Sequence, residues 1–490
     1  LPESYLTRLY FLDLDDEPQY NPRRRTVVPG KAQSQAPQWP CAIAMRMPVE
    51  GFGEVALYAD NQGRGFTPVD FPLNLNRAFA RDRIYRVETA LATWRRAGYT
   101  FSGKITARLE QASVLLQQAE QTDSLPEQTR LWNDSLVESL WAGEESAIAR
   151  AQQRIEQRSS RLDFRFGCNF FGHPGQGEKY DRHFRQLFNY ATVPFYWSGF
   201  EPSPGQPQYG PVDEQVNWLR QAGIMPKGHP LIWFHEASVP EWIRGKPYGE
   251  VRSQLQRRVQ DITRHYGSQI PVYDVINEAH EVPWSNELKL SPDQFLELTR
   301  IACDAARQGF PQVQRIVNSC CLWAENVAYF GPPQRSPYRY LQACLKADIP
   351  FEVIGIQLYY PDQDMFEIDR KLDRFIGLGK PIHITEMAAS SQTGVDEQSQ
   401  MGEAVGLWHG PWSETIQADW AEQIYTLAYS KPEIQAVTWW DFSDVGVFWP
   451  FGGLLNRDLQ PKEAFYRLRS LLQRWQIPHT LDAVAPVSLP

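Results

Sequence analysis

Hydrophobic and polar positions change rhythm twice along the chain. Through residues 1–103, short apolar runs at 6–12, 42–47 and 54–58 stand between Pro, Gly, Asn and Asp punctuation. That is the pattern of short strands and turns, and it predicts a β-rich, sandwich-like accessory domain. Residues 104–160 follow a helical rhythm. Leu109, Ala112, Leu116 and Ala119 recur at three- and four-residue spacing, as do Trp132, Leu136 and Leu140 with Trp141 beside them. Pro126, just after Ser124-Leu125, marks a helix start, so a helical hairpin is expected here. From 161 to 478 short apolar runs alternate with amphipathic stretches such as 251–265 and 292–308. The strand candidates are 164–169, 191–196, 225–233, 272–276, 315–318, 353–358, 381–385 and 436–440. Eight strands with helices between them predict an α/β chain whose main domain is a (β/α)8 barrel, with its chemistry at the C-terminal strand ends.

Two carboxylates fall at such ends. Y-D-V-I-N-E-A-H closes the fourth strand and places Asn277 and Glu278 at the barrel mouth. P-I-H-I-T-E-M closes the seventh and places Glu386 there. Glycosidic cleavage needs such a pair, one carboxyl protonated to assist the leaving oxygen and one ionised to attack the anomeric carbon. Asn277 is placed to hydrogen-bond the sugar 2-hydroxyl. A single strand-end Glu could equally cap a helix or form an ion pair; two on these strands favour chemistry.

Composition narrows the partners. Net charge is −9, from 49 basic and 58 acidic residues, and the only basic block is Arg23-Arg24-Arg25, so no nucleic-acid partner is expected. No apolar run approaches the ~18 residues of a membrane span. Six cysteines (Cys41, Cys168, Cys303, Cys320, Cys321 and Cys344) show no C-x-x-C spacing. They read as buried thiols, with no metal site and no disulfide framework. No cofactor is implied. The opening at Leu1, without a charged and apolar leader, is the pattern expected of a processed secreted or periplasmic protein. The aromatic content of 13% suits sugar faces or simply a large core.

Six motifs in order, G-H-P-L-I-W (228–233), V-I-N-E-A (275–279), I-G-I-Q (354–357), I-T-E-M (384–387), W-W-D-F-S-D (439–444) and L-Q-P-K-E-A-F (459–465), resemble glycoside hydrolase family 10. The family comprises retaining endo-β-1,4-xylanases on a TIM barrel without a cofactor. The resemblance implies Glu278 as acid/base and Glu386 as nucleophile. It places His229 and Trp233 on the glycone side, Asn277 and Gln357 on the reacting sugar, and Trp440 as aromatic floor, with Trp449 or Phe448 as neighbour. His229 and Trp233 also read as core residues of the third strand.

Three departures stand out. The family's polar E-N-x-x-K positions on strand two fall on Thr192, Val193 and Tyr196, so the glycone grip is altered or closed off by Tyr196 and Trp197. The His and Asp that support the family's nucleophile are Tyr359 and Ala388, and a Tyr359 hydroxyl is expected to donate to Glu386 and hold its pKa low. The loop 388–417 is long and offers Trp408 and Trp412 either as sugar platforms or as anchors to the rim. The expected partner is a polysaccharide, xylan or a related β-1,4 glycan. Against this enzyme stands a binding protein on an impaired barrel, or a hydrolase of a different β-glycan. For residues 1–103, sugar binding and scaffolding both stay open.

Overall fold

A computed structural model describes residues 3–19, 25–28, 30–34, 38–280, 282–328, 335–359, 363–404 and 406–477. Eight parallel strands close into a barrel: Arg165–Asn169, Tyr190–Pro194, Met225–His229, Val272–Asn277, Gln314–Ser319, Val353–Leu358, Ile382–Met387 and Ile434–Trp439. They coincide with the eight expected strands to within a few residues at each end. The last strand pairs with the first, Ala436 to Arg165 and Trp439 to Cys168, so the sheet has no free edge.

The barrel is a packed core. Tyr190, Val272, Ile316, Val353 and Ala436 form one layer across its interior. Gly228 sits where a Cβ would come within 2.2 Å of the Tyr273 ring, so only glycine lets that tyrosine lie flat inside the wall. The helices predicted at 251–265 and 292–308 span Tyr248–Tyr266 and Pro292–Gly309. The second starts at Ser291, whose hydroxyl and Gln294 side chain cap each other's backbone N–H groups.

The accessory part has the expected β-rich start followed by helices, and the structure refines it in two respects. β-structure ends well before residue 103, because Leu75–Arg96 is a helix of 22 residues. Its buried Ala80, Ile84, Val87 and Leu91 recur at helical spacing, and Asn74 caps its start by accepting from the Arg77 N–H. The helical hairpin is therefore a three-helix layer, completed by Gly103–Glu120 and Leu125–Glu156.

The second refinement concerns what covers the sheet. The strands form one antiparallel sheet, in the order Pro18–Gln19, Tyr10–Leu12, Ala42–Val49, Gly53–Ala59, with a separate hairpin of Arg25–Val28 and Lys31–Ser34. Phe11, Ile43, Met45, Val55 and Leu57 on one face pack against Phe79, Trp132, Leu136 and Leu140 of the helices. Tyr10, Leu12, Ala42, Ala44 and Tyr58 on the other face meet Ala324 and Ala328, which follow barrel strand five. Helices and barrel thus take the place of a second sheet.

Buried ion pairs fix the two parts together. Arg83 meets Asp364 at 2.8 Å, and Arg150 meets Asp369 at 3.5 Å. Glu144 accepts from the Met365 N–H at 3.0 Å and lies 2.6 Å from His409 Nε2. No described helix is long and apolar enough to cross a membrane.

Candidate active site

The C-terminal ends of the strands open into a cleft of about 800 Å³, lined among others by Asn277, Glu278, Gln357, Tyr359 and Glu386. The strand-four backbone is irregular as it delivers Glu278. The register slips between Asp274 and Ile276, and Glu278 itself has φ 53°, a left-handed conformation costing about 1–2 kcal/mol for a residue with a Cβ. Its backbone N–H donates to Asn318 O at 2.9 Å, which pins the turn to strand five.

Each carboxylate is held by donors. The Trp233 indole N–H donates to Glu278 Oε2 at 3.0 Å, and Gln357 Nε2 donates to Oε1 at 3.0 Å. The Tyr359 hydroxyl donates to Glu386 Oε2 at 3.1 Å, and Asn318 Nδ2 donates to Oε1 at 3.1 Å. The tyrosine contact is the one expected from the sequence. Asn318 is the member that sequence reasoning missed. It also donates to Asn277 Oδ1 at 2.7 Å and accepts from Thr385 Oγ1 at 2.6 Å, so it ties the ends of strands four, five and seven. A polar residue at the end of a barrel strand was the available signal.

The electrostatics correct the expectation of a low pKa at Glu386. Burial, reinforced by the charge of Glu278, pushes it up to about 8, and the Tyr359 hydrogen bond only partly offsets this. Burial also raises Glu278, against hydrogen bonds from Gln357, Trp233, Asn277 and Trp284. Two buried carboxyls facing one cleft, both pushed up, therefore titrate as a coupled pair. His229 does not relieve the pair. Its Nδ1 is 2.7 Å from Asp274 Oδ2, which is also 2.6 Å from Lys227 Nζ. Burial lowers the imidazole pKa, so the ring is neutral. With its proton on Nδ1, it turns a lone pair toward Glu386 Oε1 at 3.8 Å.

Aromatic rings wall the cleft. Tyr196 packs against Phe171, His229 and Trp233, and Trp440 packs edge-on to Phe171 and His229. Trp449 stacks on Tyr359 with centroids 5.5 Å apart, and Phe448 meets the same ring at 5.1 Å, so both candidates for that neighbour line the site. Trp197 does not close the cleft; it is buried, with its indole N–H on Glu201 Oε2 at 2.9 Å.

Trp408 and Trp412 are not platforms. They are 2% and 4% exposed, packed in the main core and absent from the cleft wall, because their loop turns toward the accessory helices. His409 between them stacks on Trp141 and contacts Phe52 O at 2.8 Å. The exposed tryptophan at the cleft is Trp284, in a short turn after strand four that carried no sequence signal. A third carboxyl, Asp441, is pushed up to about 6 by burial. It accepts from Asn169 Nδ2 and from the Phe448 N–H, and so holds the rim.

A closed eight-stranded barrel with two buried carboxyls at the ends of strands four and seven defines a glycoside hydrolase. Residues 163–471 match glycosyl hydrolase family 10, and the chain belongs to that family. Among its relatives, endo-1,4-beta-xylanase B of Thermotoga neapolitana is 23% identical over 338 residues, 65% of this chain and 90% of that protein. Beta-1,4-xylanase of Dictyoglomus thermophilum is 23% identical over 295 residues, 56% of this chain and 78% of that protein. The crystal structure of xylanase 10B from Thermotoga maritima superposes with a TM-score of 0.52 at 20% identity, over 66% of this chain and 98% of that one. A family 10 structure from Paenibacillus barcinonensis gives 0.51 at 17%, over 66% and 97%. At this identity the two structures speak for the fold.

Proposed function

We propose that the cleft hydrolyses β-1,4 bonds of xylan, or of a closely related glycan, by double displacement with retention. Glu278 is the acid/base and Glu386 the nucleophile. The observation that carries this reading is the buried pair, two carboxyls facing one cleft, each with its own set of donors. In the free protein Glu386 holds a proton at neutral pH, because burial and the charge of Glu278 push its pKa up to about 8. A sugar bound across the pair reverses that preference. The glycosidic oxygen takes a hydrogen bond from Glu278, and positive charge developing at the anomeric carbon favours ionised Glu386.

Asn277 supports the reading from beside Glu278. Its Oδ1 accepts from Asn318 and Gln357 and its amide donates to Glu278, so the N–H2 end lies on the side of the acid/base where a sugar hydroxyl would sit. Tyr196 stands where family members grip the distal sugar with polar groups. The glycone side here is accordingly gripped through ring faces, with Phe171 and Trp440 alongside. The xylanase names of the relatives support xylan as the first substrate to try.

The test uses an activated aryl β-xyloside and azide. With Glu386→Gly, azide takes the place of the nucleophile and the product is the α-glycosyl azide. With Glu278→Ala, azide attacks the covalent intermediate and the product is the β-azide. Exchanged anomers would reverse the two roles. Rescue of neither variant, with parent-like turnover in both, would sink the assignment. A panel of xylan, mixed-linkage glucan and mannan then identifies the glycan.

A further inference from the structure

Two residues beyond Glu278 stands His280, and strand five runs out into the adjacent pair Cys320 and Cys321. The fold brings the three together. The two Sγ atoms are 3.2 Å apart, Cys320 Sγ is 3.8 Å from His280 Nε2, and all three ligand atoms lie within 4.8 Å of one another. Neighbouring side chains on a strand normally point to opposite faces. Cys321 has φ 59°, and this left-handed turn breaks the alternation and lets both thiols reach the same place. All six cysteines are free.

The imidazole supplies a second, independent observation. His280 is fully buried, and its Nδ1 has no hydrogen-bond partner among the described residues. Its Nε2 edge faces the thiols, 3.8 Å from Cys320 Sγ. Two thiols and a neutral imidazole form the Cys2His donor set of an open zinc site. With Zn–S near ~2.3 Å and Zn–N near ~2.0–2.1 Å, tetrahedral geometry asks for roughly 3.8 Å between sulfurs and roughly 3.6 Å from sulfur to nitrogen. The thiols need to open by about half an ångström, within the reach of side-chain rotation.

We propose that His280 Nε2, Cys320 Sγ and Cys321 Sγ form a site for a soft divalent cation of the zinc and cadmium type. The ion displaces both thiol protons to solvent, and the two thiolates neutralise its charge. Cys320 and Cys321 line the cleft, so the fourth coordination position faces the cavity that also holds Glu278 and Glu386. An ion with its water on that wall narrows the passage for a glycan. The loaded protein is therefore inhibited, a consequence that rests on the hydrolase reading, whereas the binding itself does not.

The test is titration of the reduced 490-residue chain with Cd2+, followed by the thiolate-to-cadmium charge-transfer band and by calorimetry. One ion per chain is expected, with affinity at least tenfold weaker in Cys321→Ser and in His280→Ala and unchanged in Cys41→Ser. Cys321 is only half-buried, so serine there leaves the core intact. A band that survives Cys321→Ser, or no binding beyond that of a Cys320→Ser/Cys321→Ser protein, overturns the site. Hydrolysis is then followed with added Zn2+, which is expected to lower the parent's rate and spare Cys321→Ser. An unchanged rate in the loaded parent removes the inhibitory role.

Discussion

At the scale of single residues the site depends on how two carboxyls divide one proton. With both protonated there is no nucleophile, and with both ionised there is no general acid. The pH profile of kcat/KM is therefore expected to be bell-shaped, its alkaline limb set by the group pushed to about 8. Activity falls as pH rises through that value, and an initial-rate series on a soluble aryl glycoside measures it. A profile flat to well above pH 9 would mean that the pair is not the titrating unit. Tyr359→Phe removes one donor from Glu386. A hydrogen bond to a charged group is worth about 1.5–3 kcal/mol, so kcat should fall by roughly 10- to 150-fold. The alkaline limb should move to higher pH, because the remaining donors favour ionised Glu386 less. An unaltered profile with a raised KM would instead make Tyr359 a binding residue.

Between elements, the accessory helices are joined to the barrel through buried charges. Arg83 on the helix Leu75–Arg96 reaches Asp364, which is fully buried and caps the barrel helix Met365–Ile376 by accepting from the Phe366 and Glu367 N–H groups. Removing one partner of such a pair strands the other charge in a dry site. Arg83→Met is therefore expected to destabilise the protein by about 3–5 kcal/mol, read by denaturant unfolding. The double change Arg83→Met with Asp364→Asn should recover part of that loss. If Arg83→Met unfolds like the parent, the junction is wetter than its geometry indicates. This pair was not legible in the sequence, where Arg83 is one of several arginines in a helix that the strand pattern before it obscured.

For the whole molecule, the sheet of the accessory part is covered on one face by its own helices and on the other by the segment after barrel strand five. The helix Leu125–Glu156 in turn packs on the barrel helices Met365–Ile376 and Glu414–Ser430. Both faces of the sheet are thus covered, which favours the scaffold reading over the sugar-binding one. Deleting residues 1–160 would uncover apolar barrel surface and leave Asp364 and Asp369 without Arg83 and Arg150. The truncated chain is expected in the insoluble fraction, with no soluble activity. A soluble, fully active barrel that binds insoluble glycan less well would favour an independent sugar-binding module.

The sequence by itself determined the eight barrel strands, the positions of Glu278 and Glu386 at two of their ends, and the Tyr359 contact. Strand periodicity and motif spacing are local properties, and closing a parallel barrel brings its C-terminal strand ends to one face whatever the loops do. Tertiary structure decided everything that depends on what a side chain meets from a distant segment. Trp408 and Trp412 became core because their loop turned toward a helix layer far away in the chain. Asn318 became a cross-brace because Asn277 on the adjacent strand four and Thr385 and Glu386 on strand seven, beyond strand six, all reach it. Glu386 rose to about 8 because burial and a second carboxyl outweigh one tyrosine hydroxyl. His280 met Cys320 and Cys321 because strands four and five run side by side, which no spacing within either motif records.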